Sequence, residues 1–485
     1  MSNLEGNPAK KDGKAASKGK KEIIKKIGIY LMLLIAVLGV VILLFLNLHP
    51  SFGANPSKEQ EALYNTFDNY KDGKFVNQES TKGAGSADSP SASQNSNSAD
   101  SETSPSSGEL PVSDIDWDKI KSNDDSLTWL GHSAFILSLD NKKILIDPML
   151  GPRASPVSFI GPKRYSKDFL DIVEGLPPID AVFITHDHYD HLDYQSIKKL
   201  KSKVGHFFVP YGVGNHLIQW GVAKEKITEF NWWDETEFQG LDIALTPAKH
   251  FSGRGIFNRN STLWGGWVIL GEQTRFYTSG DGGYEGHFKE IGEKYGPFDI
   301  ALIEGGQYDT RWPESHMLPE ESVQANIDVK AKQMLLTHWG AFTLARHGWT
   351  DPIERALDAA KENGVDLIAP QIGETREMDE RVSTPLSEWW STAYPRALPP
   401  TLGSRAARLQ YALRRNHQSV GQCRSGTGAW CNGLSPRGRA AAGSPRHLAE
   451  CRATRIAYGC ARCCGRTRCT PTLPSRAGGS GRLMA

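Results

Sequence analysis

Hydrophobic and polar positions alternate differently in successive parts of this 485-residue chain. Residues 27–46 are uncharged and mostly apolar, and twenty such residues are enough for an α-helix to cross a bilayer. Residues 47–112 predict an extended segment and a linker. The first part of the extended segment should lie along the surface of the following domain. The linker, residues 78–108, consists mainly of Ser, Asn, Gly, Ala and Asp, and such a composition is typical of flexible chain. From residue 113 to 395, short apolar runs alternate with helical periods, which predicts one α/β domain.

Individual elements can be predicted inside the α/β domain. Apolar runs rich in β-branched and aromatic residues predict strands at 127–139, 143–147, 181–185, 206–209, 264–270 and 275–279. Helical periods predict helices at 194–202, 284–295, 319–330 and 351–363. Asp193 is a plausible N-cap for the first of these helices. Because strands and helices alternate in both halves, we expect sheet layers that are covered by helices on their outer faces.

Charge is distributed unevenly, although the formal net charge is only +1. Residues 1–26 contain eight lysines, and residues 396–485 contain sixteen arginines and a single acidic residue. Residues 27–395 contain 32 basic and 51 acidic residues, which is a net charge of −19. Nucleic acids are bound by basic surfaces, so we exclude nucleic acid as a partner of this middle region.

The orientation of the apolar segment follows from the lysines before it. Cytoplasmic flanks of membrane helices are enriched in Lys and Arg, so residues 1–26 should form a basic cytoplasmic tail. Residues 27–46 would then be a single-pass anchor in the cell membrane, with the α/β domain on the extracytoplasmic side. A cleaved signal peptide is the alternative, but its apolar core usually has about 7–15 residues.

The carboxyl-terminal region, residues 396–485, has no hydrophobic periodicity and contains all seven cysteines of the chain. A zinc-binding module and a basic arm for anionic lipid are two functional interpretations. Neither the cysteine spacing nor the histidine placement is typical of a zinc site, so we favour a disordered or aberrant extension. Thiolates are therefore not expected to act in the α/β domain.

Candidate metal ligands follow the predicted strand at 181–185. Burying this many polar side chains without partners costs about 1–3 kcal/mol for each, and zinc accepts both imidazole nitrogen and carboxylate oxygen. A metal site is therefore favoured over an exposed His-rich loop. The four residues are His186, His188, Asp190 and His191. Three more candidates each follow a later apolar run: His250, Asp281 and His338.

In this order, the candidate ligands resemble those of the metallo-β-lactamase superfamily. Over most of residues 113–378 the chain is similar to one branch, the phospholipases D that hydrolyse N-acylphosphatidylethanolamine, and to their bacterial relatives. The segments that carry this resemblance include WLGHS at 129–133, RASP at 153–156, GPKR at 161–164, THDHYDHLD at 185–193 and THWG at 337–340. The resemblance implies an αβ/βα four-layer sandwich with two zinc ions at one edge of the paired sheets.

The family pattern also implies a role for each candidate residue. It assigns one zinc ion to His186, His188 and His250, the second to Asp190, His191 and His338, and a bridging position to Asp281. We expect Asp190 and Asp281 to take part in catalysis, together with a hydroxide that bridges the metals. His316 corresponds to a family histidine that could contact substrate or donate a proton, and a surface or supporting role is the alternative. His206, by contrast, lies within a predicted strand and is expected to be structural.

The leading hypothesis is a membrane-anchored zinc phosphodiesterase of phospholipase D type, acting on a phospholipid such as N-acylphosphatidylethanolamine. One alternative is hydrolysis of a lactone, an amide or another ester, in which a lipid or a small molecule is the substrate. A second is a noncatalytic binding protein that zinc stabilises, although a structural site needs only four ligands. Asp187, Gly282 and Glu304 depart from the lipid-cleaving members, and these departures bear on substrate choice.

Overall fold

The computed structural model of the chain describes residues 9–78, 102–106, 108–378 and 388–393. The described residues all belong to one compact unit. The predictions for residues 396–485, and those for most of the Ser-rich stretch, lie outside the described residues.

The amino-terminal elements of the described part are short except for the first helix. They are α1 Ala9–Leu48, α2 Lys58–Tyr64, β1 Tyr70–Lys71, β2 Lys74–Phe75 and α3 Trp117–Lys121. Within α1, the 25 residues Glu22–Leu46 are long and apolar enough to cross a membrane. A single apolar helix near the N-terminus is compatible with a membrane anchor or with a signal sequence.

The described residues after α3 form two sheets and the helices that cover them. The strands are β3 Ser126–Trp129, β4 Phe135–Leu139, β5 Lys142–Ile146, β6 Ile179–Phe183, β7 Val204–Pro210, β8 Ile227–Phe230, β9 Glu235–Phe238, β10 Leu241–Thr246, β11 Gly266–Leu270, β12 Arg275–Thr278, β13 Phe298–Glu304, β14 Ala331–Thr337, β15 Asp366–Ile368 and β16 Thr375–Glu377. The helices are α4 Ile172–Gly175, α5 Tyr194–Leu200, α6 Gly214–Gln219, α7 His287–Lys294, α8 Pro319–Asp328, α9 Asp351–Asn363 and α10 Trp389–Ala393.

Each sheet has an antiparallel half and a parallel half. The first has the order β16-β3-β4-β5-β6-β7-β8, and the second β15-β14-β13-β12-β11-β10-β9. Pairing is parallel from β5 to β8 and from β12 to β15. The sheets meet where Trp267 of β11 packs edge-on against Phe183 of β6 and donates its ring N–H to Ile184 O, at 2.9 Å. With helices such as α8 and α9 packed on the strands, this is the predicted αβ/βα sandwich.

The predicted helix at 351–363 coincides with α9, and Asp193 caps α5 by accepting hydrogen bonds from Gln195 N and Ser196 N. The single strand predicted at 127–139 is wrong, because the chain reverses there and forms antiparallel β3 and β4. Gly131 and His132 have positive φ angles of 85° and 58°, which end the extended run. Hydrophobic residues on both sides of the turn had hidden it.

The segment between α1 and the Ser-rich stretch packs against the domain more deeply than its sequence suggested. Tyr64 and Phe75 are fully buried, and Phe75 N–H donates to Asn260 O at 2.9 Å. After the Ser-rich stretch, Leu110 is also buried and donates its N–H to Tyr165 O at 2.8 Å. The folded domain therefore includes residues before 113, and described residues on both sides of the Ser-rich stretch pack on it.

We expect the Phe75→Ala substitution to lower the free energy of unfolding by about 3–5 kcal/mol, because it removes a fully buried ring that packs on Tyr64 and Tyr70. Denaturant unfolding of the detergent-solubilised chain measures this change. Leu63→Ala is the matched control, since Leu63 is 46% exposed and its truncation should cost no more than about 0.5 kcal/mol. Equal losses in the two variants would contradict the burial of Phe75 in the core.

Candidate metal centre

All seven predicted ligands converge at one edge of the two sheets. His186 to His191 follow the end of β6, while His250, Asp281 and His338 follow the ends of β10, β12 and β14. The residues therefore come from both sheets, and their convergence depends on how the sheets face each other. Every one of them except His188 and Asp190 is buried.

Three histidine nitrogens form the first group of the centre. His188 Nδ1 lies 2.9 Å from His186 Nε2 and 3.3 Å from His250 Nε2. The rings of His186 and His250 are nearly perpendicular, at 82° with centroids 4.8 Å apart, so their nitrogens approach one point from different directions. Three imidazole nitrogens in this arrangement can hold one metal ion.

The second group is arranged around two carboxylates. Asp190 Oδ2 lies 3.1 Å from His338 Nε2 and 3.6 Å from His191 Nε2. Asp281 Oδ2 lies 2.9 Å from His338 Nε2 and 3.1 Å from His191 Nε2. The same oxygen is 3.7 Å from His186 Nε2 in the first group. Asp281 Oδ2 thus lies within 4 Å of histidine nitrogens of both groups.

In four of the histidines, the ring nitrogen Nδ1 lies close to an oxygen atom of a residue outside the seven ligands. His191 Nδ1 lies 2.7 Å from Asp147 Oδ2, and the three others also have a neighbour within 3.4 Å. Those pairs are His186 Nδ1 with Thr185 Oγ1, His250 Nδ1 with Ser315 O, and His338 Nδ1 with Glu304 Oε1. An acceptor at Nδ1 holds a proton there, so that Nε2, whenever it is unprotonated, directs its lone pair inward, which is the form that binds metal.

Burial keeps several of these imidazoles neutral. It lowers the pKa of His188, and it lowers the pKa values of His186 and His250 well below the ordinary histidine value. Burial acts in the same direction on His191, but the surrounding carboxylates, first among them Asp281, outweigh it and raise the pKa of His191 to about 10. The cluster therefore has both neutral nitrogen ligands and anionic oxygens to offer to a cation.

The donor set fits a divalent metal. His191 Nε2 and Asp281 Oδ1 are buried and have no hydrogen-bond partner within the described part of the chain. An unpaired buried polar atom costs about 1–3 kcal/mol, and a cation between these atoms would remove that cost. Nitrogen and oxygen donors without thiolates match zinc and similar divalent ions.

His132 belongs to the site although the sequence reasoning had not assigned it a role. Its Nε2 lies 2.8 Å from Asp190 Oδ2, and its ring is 4.2 Å from that of His338. Burial, followed by the charge of His338, lowers its pKa to about 3, so it is a neutral imidazole. The positive φ angle of His132 turns it inward, and the WLGHS segment that contains it was the available signal.

Asn77 is a second residue that the sequence reasoning missed. Its side-chain amide donates to His250 O and accepts from His250 N, both at 3.0 Å. The amide thus holds both backbone polar groups of a candidate ligand. Asn77 lies in the segment before the Ser-rich stretch, and no local pattern marked it.

The departures from the family pattern have structural explanations. Asp187 is buried and turned away from the cluster, where it accepts hydrogen bonds from Gly253 N at 2.7 Å and Thr262 Oγ1 at 2.9 Å. Glu304 is also buried, and its Oε2 accepts from Met317 N at 3.0 Å. A Cβ at Gly282 would lie 3.2 Å from Lys249 N, so the chain is close-packed there.

His316 lies beside the two groups with 11% of its side chain exposed. Its ring stacks on that of His338 at 4.9 Å and lies 5.2 Å from that of His250. Glu304 Oε1 is 3.1 Å from His316 Nδ1. His206, by contrast, is in β7 and bonds to Thr228 Oγ1 at 2.8 Å, in a structural position as predicted.

Comparison with known proteins identifies the family of this chain. Residues 142–339 match the family described as the Beta-lactamase superfamily domain. An uncharacterized protein of Mycobacterium tuberculosis is 40% identical over 269 residues, which are 55% of this chain and 71% of that protein. The chain belongs to the metallo-β-lactamase superfamily and is a metal-dependent hydrolase.

Similarity also extends to a named lipid hydrolase. The N-acyl-phosphatidylethanolamine-hydrolyzing phospholipase D 1 of Caenorhabditis elegans is 34% identical over 290 residues, covering 56% of this chain and 81% of that enzyme. Among solved structures, Igni18, a metallo hydrolase from Ignicoccus hospitalis, is 25% identical with a TM-score of 0.41, covering 52% of this chain and 97% of that one. The predicted relationship to the phospholipase D branch is confirmed at the level of homology.

Asp147→Asn tests the outer contacts of the cluster. The amide cannot accept the His191 Nδ1–H as strongly as a carboxylate, so metal affinity should fall about 10–100-fold. Competition with a graded chelator, followed by elemental analysis, measures the affinity. Asp242→Asn, at an exposed position of β10, should leave the affinity unchanged. Unchanged affinity in Asp147→Asn would show that this contact does not support the metal.

Proposed function

We propose that the chain is a membrane-anchored, dinuclear zinc phosphodiesterase that cleaves a phospholipid such as N-acylphosphatidylethanolamine. The observation that supports this best is the arrangement of inward-facing imidazole nitrogens around the shared carboxylate of Asp281. Two adjacent groups with one carboxylate between them are suited to a pair of cations.

Each of the two groups of residues would hold one of those cations. His186, His188 and His250 would hold one ion, and Asp190, His191 and His338 the other, with Asp281 between them. When bound, two divalent ions lower the pKa of water towards about 7 and stabilise negative charge on a reacting phosphoryl group. The oxygens of Asp147 and Glu304 keep the imidazoles turned inward, so little reorganisation would be needed during the reaction.

Hydrolysis of a phosphodiester adds one water molecule and breaks one P–O ester bond, giving a phosphomonoester and an alcohol. With phospholipase D regiochemistry, the alcohol comes from the head group and the lipid remains as the phosphomonoester. The similarity to the Caenorhabditis elegans enzyme and the apolar helix α1 favour a membrane lipid as substrate. Hydrolysis of a lactone or another carboxylic ester is the competing activity.

Metal analysis and a paired substrate assay test this function. The detergent-solubilised chain should contain about two zinc ions and release N-acylethanolamine from N-acylphosphatidylethanolamine in mixed micelles. Chelation should abolish the activity and zinc should restore it. Asp281→Ala should cost more activity than His188→Ala, because Asp281 lies between the groups whereas His188 belongs to one of them. Two zinc ions with lactone turnover but no lipid cleavage would favour the competing activity.

We propose further that His316 contacts the substrate and donates a proton to the leaving alkoxide. Glu304 Oε1 accepts from His316 Nδ1–H, so the proton donor would be the Nε2–H of the imidazolium form, which returns to the neutral imidazole once the proton is transferred. Stacking on His338 fixes the plane of the ring. These contacts favour a substrate-directed imidazole over a surface histidine.

His316→Gln should lower kcat about 10²–10⁴-fold, as expected for loss of a general acid. KM and metal content should change little, because the other cluster residues are retained. A steady-state kcat and KM measurement combined with elemental analysis separates these effects. His206→Gln is the control and should keep full activity. If His316→Gln instead loses metal, and the enzyme molecules that keep their metal have a normal kcat, His316 supports metal binding and does not donate the proton.

The localisation that we propose is the cell membrane, with the N-terminus in the cytoplasm and the hydrolase domain outside. The eight lysines of residues 1–26 support this orientation. Protease added to intact spheroplasts should remove the domain and leave the lysine-rich end protected. Removal of the domain only after lysis would place it in the cytoplasm.

A further inference from the structure

The chain that leaves α1 is fixed to the hydrolase domain within a few residues. Arg254 Nε donates to Ser51 O at 2.9 Å, and Trp220 Nε1 donates to Pro50 O at 2.7 Å. Ala54 N–H then donates to His216 Nδ1 at 3.0 Å. The domain partners in these bonds are the buried side chains of Arg254, Trp220 and His216, so the junction is a docked segment and not a free linker.

This docking limits how far the domain can lie from the membrane, given the proposed membrane span. Fully extended, the chain between Leu46 and Ser51 covers at most about 18 Å. The polar interfacial layer on each side of the hydrocarbon core is itself about 5–8 Å thick. Ser51, and Arg254 bonded to it, must therefore lie in or just above that layer.

The loop at residues 253–260, here called the Arg254 loop, presents an apolar tip beside this junction. Ile256 is 66% exposed and Phe257 is 90% exposed. Asn258 Nδ2 donates to Asn55 Oδ1 at 3.2 Å, which ties the tip to the docked segment. Arg259 is exposed as well, and no acidic residue occurs between residues 250 and 271. An aromatic tip with a cation beside it is suited to an anionic lipid surface.

A short series of ring contacts connects the Arg254 loop to the metal centre. The guanidinium of Arg259 lies 4.2 Å from the centroid of the Phe251 ring. Phe251 in turn packs against the rings of His188 and His250, with centroid distances of 4.7 Å to each. The exposed loop is therefore next to the centre, and a surface that touches the loop would also be close to the candidate ligands.

We propose that the Arg254 loop is a membrane-contacting surface, whose residues Ile256 and Phe257 insert into the interfacial layer of the bilayer that holds α1. Arg259 lies at the level of the lipid head groups, where it neutralises part of their charge. The metal centre is then held at the lipid surface by two attachments, the docked junction and the loop. This inference rests on the proposed membrane anchor but not on any particular hydrolytic activity.

Site-specific labelling tests the contact without any need for turnover. In the full chain with its seven cysteines replaced by serine, Phe257→Cys is labelled with the environment-sensitive dye NBD. The protein is reconstituted into nanodiscs of phosphatidylglycerol and phosphatidylcholine. Relative to the emission of NBD in water, the emission of the labelled protein should shift to the blue. Lipids brominated near the head group should quench it. Glu362→Cys, at an exposed position of α9, is the control and should show neither change.

The competing outcomes are distinct. Emission at position 257 that matches the position 362 control, with no quenching by brominated lipid, would overturn the proposal. A blue shift without quenching would indicate a protein partner or a second copy of the chain, and would overturn it too. Because Phe257 is almost fully exposed, the substitution should not disturb folding, and an unchanged melting temperature checks this. Lipid hydrolysis could fail while the quenching succeeds, so the two proposals are tested independently.

Discussion

The structure depends on a dense group of imidazoles and carboxylates that is held where water has little access. Such a group is stable only if each polar atom has a partner, since isolated buried charges are expensive. The outer partners come from separate parts of the chain: Thr185 after β6, Asp147 after β5, Ser315 in a loop and Glu304 at the end of β13. The inward-facing nitrogens and oxygens are the ligand atoms that a divalent cation takes. Such a cation would contribute to the stability of the fold as well as to its chemistry.

Much of the architecture followed from local patterns in the sequence. The helix at 351–363 is amphipathic and ends at Gly364 in a left-handed conformation, so its bounds were predictable. The candidate ligands were predictable because each follows an apolar strand, and the carboxyl ends of those strands meet at one edge. His132 was not assigned because its position depends on a reversal with positive φ inside an apparently continuous apolar run. Asn77 and Arg254 were not found because their contacts join residues far apart in sequence, and periodicity carries no information about such contacts.

Contacts between residues that are far apart in sequence also explain how a departure from the family pattern can be misinterpreted. Asp187 stands between two candidate ligands and so appeared relevant to substrate choice. Its carboxylate instead faces the interior, where His216 Nε2, Gly253 N and Thr262 Oγ1 surround it. Burial acts to raise the pKa of Asp187, but the hydrogen bond and charge of His216, followed by the charge of His188 and the Gly253 N–H, lower it, so Asp187 is a carboxylate at neutral pH. Its effect on the ligands beside it is to fix the backbone of the loop, and a role in selecting substrate does not follow from its position.

The two hydrogen bonds between Asn77 and His250 bear on the N-terminal boundary of the hydrolase domain. The residues that match the superfamily domain start at 142, after both Asn77 and His132. A gene fragment trimmed to that match, or to the α/β pattern alone, would encode the ligands but omit the amide that holds His250 in place. The hydrolase domain and the segment that follows α1 therefore form a single unit, and an exchange of α1 for a helix of another protein would have to preserve the chain from Pro50 onward.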